Sequence, residues 1–306
     1  MKLSIVTTMY YSRNYLYEFY HKVIAAVRGL DLSYEFIFVD DGSPDDSLKV
    51  ALELQASDPH IKIIQLSKNF GHQRAIMTGL QHTTGDRIFL IDCDLEEDPK
   101  LLSVFWEKLN EQEDLDVVYG VQIKRKGGWF ERISGQLFYK ILSVLSSVNY
   151  PADTLTARIM SRKYVDAIKS FGEKELDLWG VFVLAGFNQL GVPVSKGHKG
   201  ASTYTLRKKI RRAVEVITSL SHRPLYITFF LGIFSFLVAV VNIAVIVYKK
   251  YFLEVDVEGW ASILASVWLV GGMILLMLGI FGIYLSKMFL EIKNRPLTII
   301  KNVYSR

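Results

Sequence analysis

Arg87-Ile88-Phe89-Leu90-Ile91-Asp92-Cys93-Asp94 is an apolar run that ends in two carboxylates two residues apart. A short continuous apolar segment reads as a strand buried on both faces, so its acidic end falls at the carboxyl edge of a sheet. Earlier in the chain Tyr34-Glu35-Phe36-Ile37-Phe38-Val39 ends the same way, in Asp40-Asp41-Gly42-Ser43. Ligands of open α/β sheets bind at such strand ends. Paired carboxylates there suit a divalent cation and the diphosphate it carries, which makes Asp92 and Asp94 the candidate metal ligands.

Outward from that run, residues 1 to about 120 alternate short apolar segments with amphipathic ones. Leu3 to Thr8, Phe36 to Val39, Ile61 to Leu66, Ile88 to Ile91 and Val117 to Gly120 read as strands. Tyr15 to Leu30, Ser47 to Gln55 and Gln73 to His82 read as the helices between them. This is the βαβ rhythm of a parallel sheet. Asp40 to Asp46 is turn chemistry opening a helix, with Ser43 or Asp45 as its cap. Pro99 falls near the first position of another helix. No Gly-x-Gly-x-x-Gly follows the first strand, which argues against a nicotinamide-binding domain.

Part of the chain is expected to lie in a membrane. Half of the residues are hydrophobic and the mean hydropathy is +0.22, high for a soluble protein. Leu225 to Val247 and Trp260 to Leu285 carry no charge, and each is long enough to cross a hydrocarbon core of about 30 Å. Residues 207–306 hold 13 Lys+Arg against 5 Asp+Glu, and the cations cluster before the first span and after the second. The positive-inside rule therefore predicts a hairpin with both termini and the first domain in the cytoplasm, in the cell's inner membrane. The basic excess is assigned to the membrane surface, and no nucleic-acid partner is expected. No signal peptide precedes the first strand, and the single cysteine agrees with a reducing compartment. Cys93, between two aspartates, is not expected to be a nucleophile. Trp129 to Val148 has apolar residues at helical spacing and reads as an amphipathic helix, either on the bilayer or facing a core. Thr205 to Leu220 is a second such helix, with a basic face of Lys208, Lys209, Arg211 and Arg212.

Four stretches together carry a resemblance: Ser4-Ile5-Val6, Val39-Asp40-Asp41-Gly42-Ser43, Leu66-Ser67-Lys68-Asn69-Phe70-Gly71-His72-Gln73 and Asp92-Cys93-Asp94-Leu95-Glu96-Glu97-Asp98-Pro99, followed by two spans. The chain resembles the polyisoprenyl-phosphate glycosyltransferases, inverting family-2 enzymes grouped with dolichol-phosphate-mannose synthase. The likeness extends through Ser202-Thr203-Tyr204-Thr205-Leu206-Arg207-Lys208 and through Gly259-Trp260-Ala261-Ser262 at the start of the second span.

The resemblance implies a GT-A-type α/β domain over 1–128 that binds a nucleotide sugar, and an acceptor-side and interfacial region over 129–223. A transmembrane hairpin over 224–286 and a cytoplasmic tail over 287–306 would follow. Asp41 would accept a hydrogen bond from a uracil-like base, with Thr8 and Tyr10 lining the same slot. Asp92 and Asp94 would face ribose, diphosphate and Mg²⁺ or Mn²⁺, with Cys93 between them in the nucleotide-sugar site. Arg74 would pair with a phosphate or remain a surface arginine, and His72 is either a packing residue or a catalyst.

Two segments depart from the family pattern. The first strand usually continues into Pro-x-Tyr-Asn-Glu, and here it reads Thr8-Met9-Tyr10-Tyr11-Ser12. Asp-Thr-Gly-Asp-Phe-Arg-Leu becomes Asp153-Thr154-Leu155-Thr156-Ala157-Arg158-Ile159, with Thr156 in place of a proposed catalytic base. A lipid phosphate, with a second pKa near 6 by analogy with phosphoserine, is already ionised and needs aiming more than deprotonation. Asp94, Asp153 and Arg158 are the expected catalytic residues, and Arg207 and Lys208 the acceptor-phosphate ligands. The expected reaction moves a hexosyl group, glucose from UDP-glucose, to undecaprenyl phosphate with inversion, for glycan modification. The rival readings are a tethered family-2 transferase with a saccharide acceptor and an inactive nucleotide-sugar-binding scaffold. Ala261, Ala265, Gly272 and Gly279 near one face of the second span permit close helix packing and a homo-oligomer.

Overall fold

The computed structural model describes residues 1–122, 154–195, 218, 221–252 and 259–305. The amphipathic helices expected over 129–148 and 205–220 lie outside these residues, apart from Thr218. Eight strands form one sheet in the order β7-β5-β6-β4-β1-β2-β3-β8. They are β1 (Lys2–Met9), β2 (Ser33–Asp40), β3 (Ile61–Leu66), β4 (Arg87–Leu90), β5 (Val117–Gln122), β6 (Thr154–Ser161), β7 (Gln189–Val194) and β8 (Ile300–Tyr304). β1 pairs in parallel with β2 and β4, and β2 with β3, whereas β6 runs antiparallel to β4 and to β5.

Helices cover both faces, which is why the central strands are continuous apolar runs rather than alternating ones. α1 (Leu16–Arg28), α2 (Ser47–Ser57) and α4 (Leu101–Glu111) pack on one face against Leu3, Ile5, Phe36, Phe38 and Phe89. α3 (His72–Gln81), α5 (Arg162–Ser170) and α6 (Leu178–Leu184) pack on the other against Val6, Ile37, Val39, Ile88 and Leu90. In α1 the buried residues Leu16, Phe19, Tyr20, Val23, Ile24 and Val27 follow the helical period. Each large apolar side chain so buried contributes roughly 1.5–3 kcal/mol. Gly79 lets α3 approach the sheet, since a Cβ there would stand 2.6 Å from Val6 Cγ1.

The start of α2 departs from the sequence expectation. Its N-cap is Asp46, without a side-chain cap. Ser43 instead donates to the Met9 carbonyl, and Asp45 accepts from the N–H and hydroxyl of Ser47.

The sheet also runs across the boundary drawn at residue 128, because β6 and β7 complete it. The segment expected as a cytoplasmic tail returns to the sheet: β8 pairs antiparallel with β3, and residues 294–306 cluster with the unit that holds the sheet. β8 is short and mixed in polarity, so only its nonlocal partner defines it as a strand.

Two further helices, α7 (Arg223–Phe252) and α8 (Trp260–Ile292), form a separate unit and are long and apolar enough to cross a membrane. Their polar side chains turn back on the helix, with Thr228 donating to the Leu225 carbonyl, Ser235 to Leu231 and Asn242 to Val238. Each such bond satisfies a side-chain hydroxyl or amide within its own helix, as a segment of membrane-crossing length requires. Tyr284 donates to the Ser221 carbonyl at 2.6 Å and ties the two helices together near Arg223.

Candidate active site

β1 has β2 on one side and β4 on the other, so strand order reverses there, and the carboxyl edge at such a reversal is where open α/β sheets form a ligand crevice. Every acidic group predicted for the site that lies within the described residues reaches this edge.

Asp41 follows β2 and is buried. Its two oxygens accept the backbone N–H groups of Phe70, at 2.7 Å, and Gly71, at 3.0 Å. Gly42, at φ +66°, lies so close to the next loop that a Cβ would stand 2.5 Å from the Lys68 carbonyl carbon. The loops after β2 and β3 are thereby fixed as one wall of the crevice. Burial raises the Asp41 pKa, with the two backbone hydrogen bonds opposing it. A carboxylate accepts at about four positions, so capacity remains for a base N–H.

Asp92 joins three elements. Its Oδ2 accepts from the Thr156 hydroxyl at 2.8 Å, and its Oδ1 stands 3.3 Å from His72 Nε2. His72 Nδ1 lies 3.0 Å from the Thr8 hydroxyl. Facing a carboxylate, Nε2 is assigned a proton. A polar chain Thr8–His72–Asp92–Thr156 therefore crosses β1, α3, the loop after β4, and β6. The sequence left His72 between two roles, and the structure puts it inside the site.

Asp94 accepts the N–H of Glu96 at 3.0 Å. Leu95 between them has φ +62°, a left-handed conformation costly for a leucine and found where a site over-determines the backbone. Glu97, 1% exposed, accepts the N–H groups of Thr156 at 2.9 Å and Ala157 at 2.8 Å. Sequence reasoning passed over Glu97 because Glu96, Glu97 and Asp98 are equivalent by residue type, and only the fold selects the one that enters the core.

Three predicted residues take other positions than expected. Arg158 is 2% exposed, donates to the carbonyls of Thr156 and Leu155, and lies 3.7 Å from the Phe182 ring centroid. Burial lowers its pKa to about 10, against the neighbouring Tyr164 and Glu97. It braces β6 from inside rather than presenting a guanidinium to substrate. Cys93 is buried and donates to the Thr8 carbonyl at 3.1 Å, tying the loop to β1 instead of facing a ligand. Its thiol is pushed up to about 12, chiefly by burial and further by Asp92 and Asp94. Arg74 donates to the Lys174 carbonyl at 3.3 Å and anchors the loop that leads into α6. Tyr10, half exposed after β1, lies edge-on to Tyr11 with ring centroids 4.8 Å apart. Asp153, Arg207 and Lys208 lie outside the described residues.

The donor set fits a hard divalent cation in one respect, since Asp92 and Asp94 offer oxygen ligands only. Among the described residues no group of three or more His, Cys, Asp or Glu could hold a metal. A cation here would complete its shell with water and the phosphates of a bound nucleotide sugar, the usual habit of Mg²⁺.

A mixed sheet with parallel β1 to β4, antiparallel β6 and paired carboxylates after β4 defines a glycosyltransferase of the GT-A type. Glycosyl transferase family 2 matches residues 4–169. A glycosyltransferase homologue of Mycobacterium tuberculosis is 43% identical over 304 residues, covering 99% of this chain and 89% of that one. The uncharacterized glycosyltransferase YkcC of Bacillus subtilis is 34% identical over 307 residues, covering 99% and 94%. A prophage-derived bactoprenol glucosyl transferase of Shigella flexneri is 29% identical over 304 residues and covers 98% of each. The chain belongs to glycosyl transferase family 2.

Proposed function

We propose that the protein transfers a hexosyl group, glucose from UDP-glucose, to a polyprenyl phosphate at the cytoplasmic surface of the inner membrane, with inversion. One coincidence within the chain carries this reading: a GT-A site and two helices of membrane-crossing length share one polypeptide. That pairing suits a water-soluble donor and a lipid-borne acceptor. The end-to-end similarity to Shigella bactoprenol glucosyl transferases supports both the sugar and the lipid.

Asp41, Thr8 and Tyr10 receive the uracil and its ribose, and Asp92 and Asp94 face the diphosphate. A bound Mg²⁺ or Mn²⁺ supplies charge neutralisation to the departing diphosphate. Thr156, whose proton is committed to Asp92, offers no base at its position. A phosphate acceptor needs none there, because it arrives ionised. Arg207 and Lys208 aim it and Asp153 orients it, and a single in-line displacement inverts the anomeric centre. The basic flanks hold both termini in the cytoplasm, and the small-residue face of α8 serves a homo-oligomer.

Purified full-length protein given radiolabelled UDP-glucose and undecaprenyl phosphate should yield a solvent-extractable product that releases glucose in mild acid. Label transferred only to a water-soluble saccharide acceptor overturns the reading.

A further inference from the structure

Thr156 stands where the family pattern that the chain resembles would place a second aspartate, and its neighbours show what it does instead. An ionised carboxylate only accepts hydrogen bonds, so the 2.8 Å contact between Thr156 Oγ1 and Asp92 Oδ2 commits the threonine proton to Asp92. His72 Nε2 stands at the other oxygen. Asp92 is therefore held at both oxygens, and the plane of its carboxylate is set before any ligand arrives.

The hydroxyl can hold Asp92 only if β6 itself is held. Thr156, 7% exposed, lies in the buried part of β6, and its N–H goes to Glu97 together with that of Ala157. Glu97 lies five residues beyond Asp92 in the same loop. The loop thus grips the strand through Glu97, and the strand grips the loop through Thr156. Arg158 closes the arrangement from beneath by donating to the carbonyls of Thr156 and Leu155. Ligand groups locked by neighbouring hydrogen bonds bind metal more tightly than free ones.

We propose that Thr156 and Glu97 form a positioning pair that presets Asp92 for the cation-bound diphosphate, with Thr156 a hydrogen-bond donor to Asp92 rather than a substitute base. The inference rests on the donor half of the function proposed above and is independent of the acceptor. It also gives the threonine a reason of its own: an aspartate at 156 would bring a second carboxylate against Asp92, and a hydroxyl of similar reach holds it by attraction.

The test is Mn²⁺ binding to the full-length protein in detergent, in the presence of UDP, followed by the electron paramagnetic resonance signal of free Mn²⁺. Thr156→Val keeps the shape and removes the donor, and should weaken Mn²⁺ binding by about 10-fold to 100-fold. Thr156→Ser keeps the donor and should bind close to the wild type. Glu97→Gln replaces one backbone acceptor with a donor and should weaken binding in the same direction. A merely structural threonine would lower the melting temperature in Thr156→Val and leave Mn²⁺ affinity unchanged, and that result overturns the proposal. So does equal loss in the valine and serine variants. Wild-type protein that binds Mn²⁺ with UDP but makes no lipid-linked product overturns the acceptor reading alone, and the positioning pair stands.

Discussion

The carbonyl oxygen of Tyr304 accepts a hydrogen bond from Gln55 Nε2 at 2.9 Å, joining α2 to the last strand of the chain. The same amide nitrogen donates to the Ile61 carbonyl at 3.0 Å, so one buried side chain spans β3 and β8. Ser67 N–H to the Ile299 carbonyl and the paired hydroxyls of Thr78 and Thr298 extend the seam. The chain leaves α8 at Ile292, meets α3 at Thr298 and joins the sheet from Ile300.

Removing residues 299–306 should therefore destabilise the catalytic domain, not trim an inert tail. Loss of the β3–β8 hydrogen bonds costs about 3 kcal/mol at roughly 1 kcal/mol each. The melting temperature should fall by roughly 6–12 °C, and the bared edge of β3 should promote aggregation. Thermal unfolding of the truncated protein in detergent checks this, and an unchanged melting temperature would count against it.

Glu35 predicts an acid limit to stability. Burial alone would raise its pKa, but hydrogen bonds from Ser4, the Thr84 N–H, Lys2 and the Thr84 hydroxyl outweigh that and hold it at about 2. The folded value lies below the ordinary one near 4.5, so the unfolded chain binds the proton more tightly. The stabilisation, about 3 kcal/mol, is present above pH 4.5 and is lost as pH falls toward 2. Denaturant unfolding from pH 6 to 3 should show a decline that Glu35→Gln, less stable at pH 6, reduces.

Thr7 is fully buried in β1 and its hydroxyl has no hydrogen-bond partner among the described residues. Such an orphan costs about 1–3 kcal/mol, and valine has the same shape without it. Thr7→Val should raise the melting temperature while leaving transfer unchanged. A lower melting temperature would reveal a partner for the hydroxyl.

Asp94→Ala should reduce glycosyl transfer by about 100-fold or more, as expected when charge stabilisation of a leaving group is lost. Mn²⁺-dependent UDP binding should disappear with it, because only Asp92 would remain to meet the cation. Transfer at the wild-type rate would remove Asp94 from the site.

The apolar runs and turn residues of the first 120 residues were enough to place β1 to β5 and the three helices between β1 and β4. In this region helices cover both faces of the sheet, so an apolar run is buried whichever strands flank it, and local pattern and final burial coincide. Uncharged length alone marked α7 and α8, because a hydrocarbon core asks only for apolarity and span. Asp41, Asp92 and Asp94 were legible for a related reason: a carboxylate right after a buried strand has nowhere to go but the sheet edge.

Folding in three dimensions decided the rest, where the partner lies far along the chain. Nothing local separates Glu97 from Glu96, marks Ile300–Tyr304 as a strand, or shows that Arg158 turns inward to Phe182 while Thr156 turns to Asp92. Thr156 and Arg158 are two residues apart and share a face of β6, so the strand period does not separate their roles, and what each meets depends on the strands and helices alongside. Residue chemistry announced a carboxylate site, and the antiparallel seat of β6 beside β4 determined which groups hold those carboxylates in place.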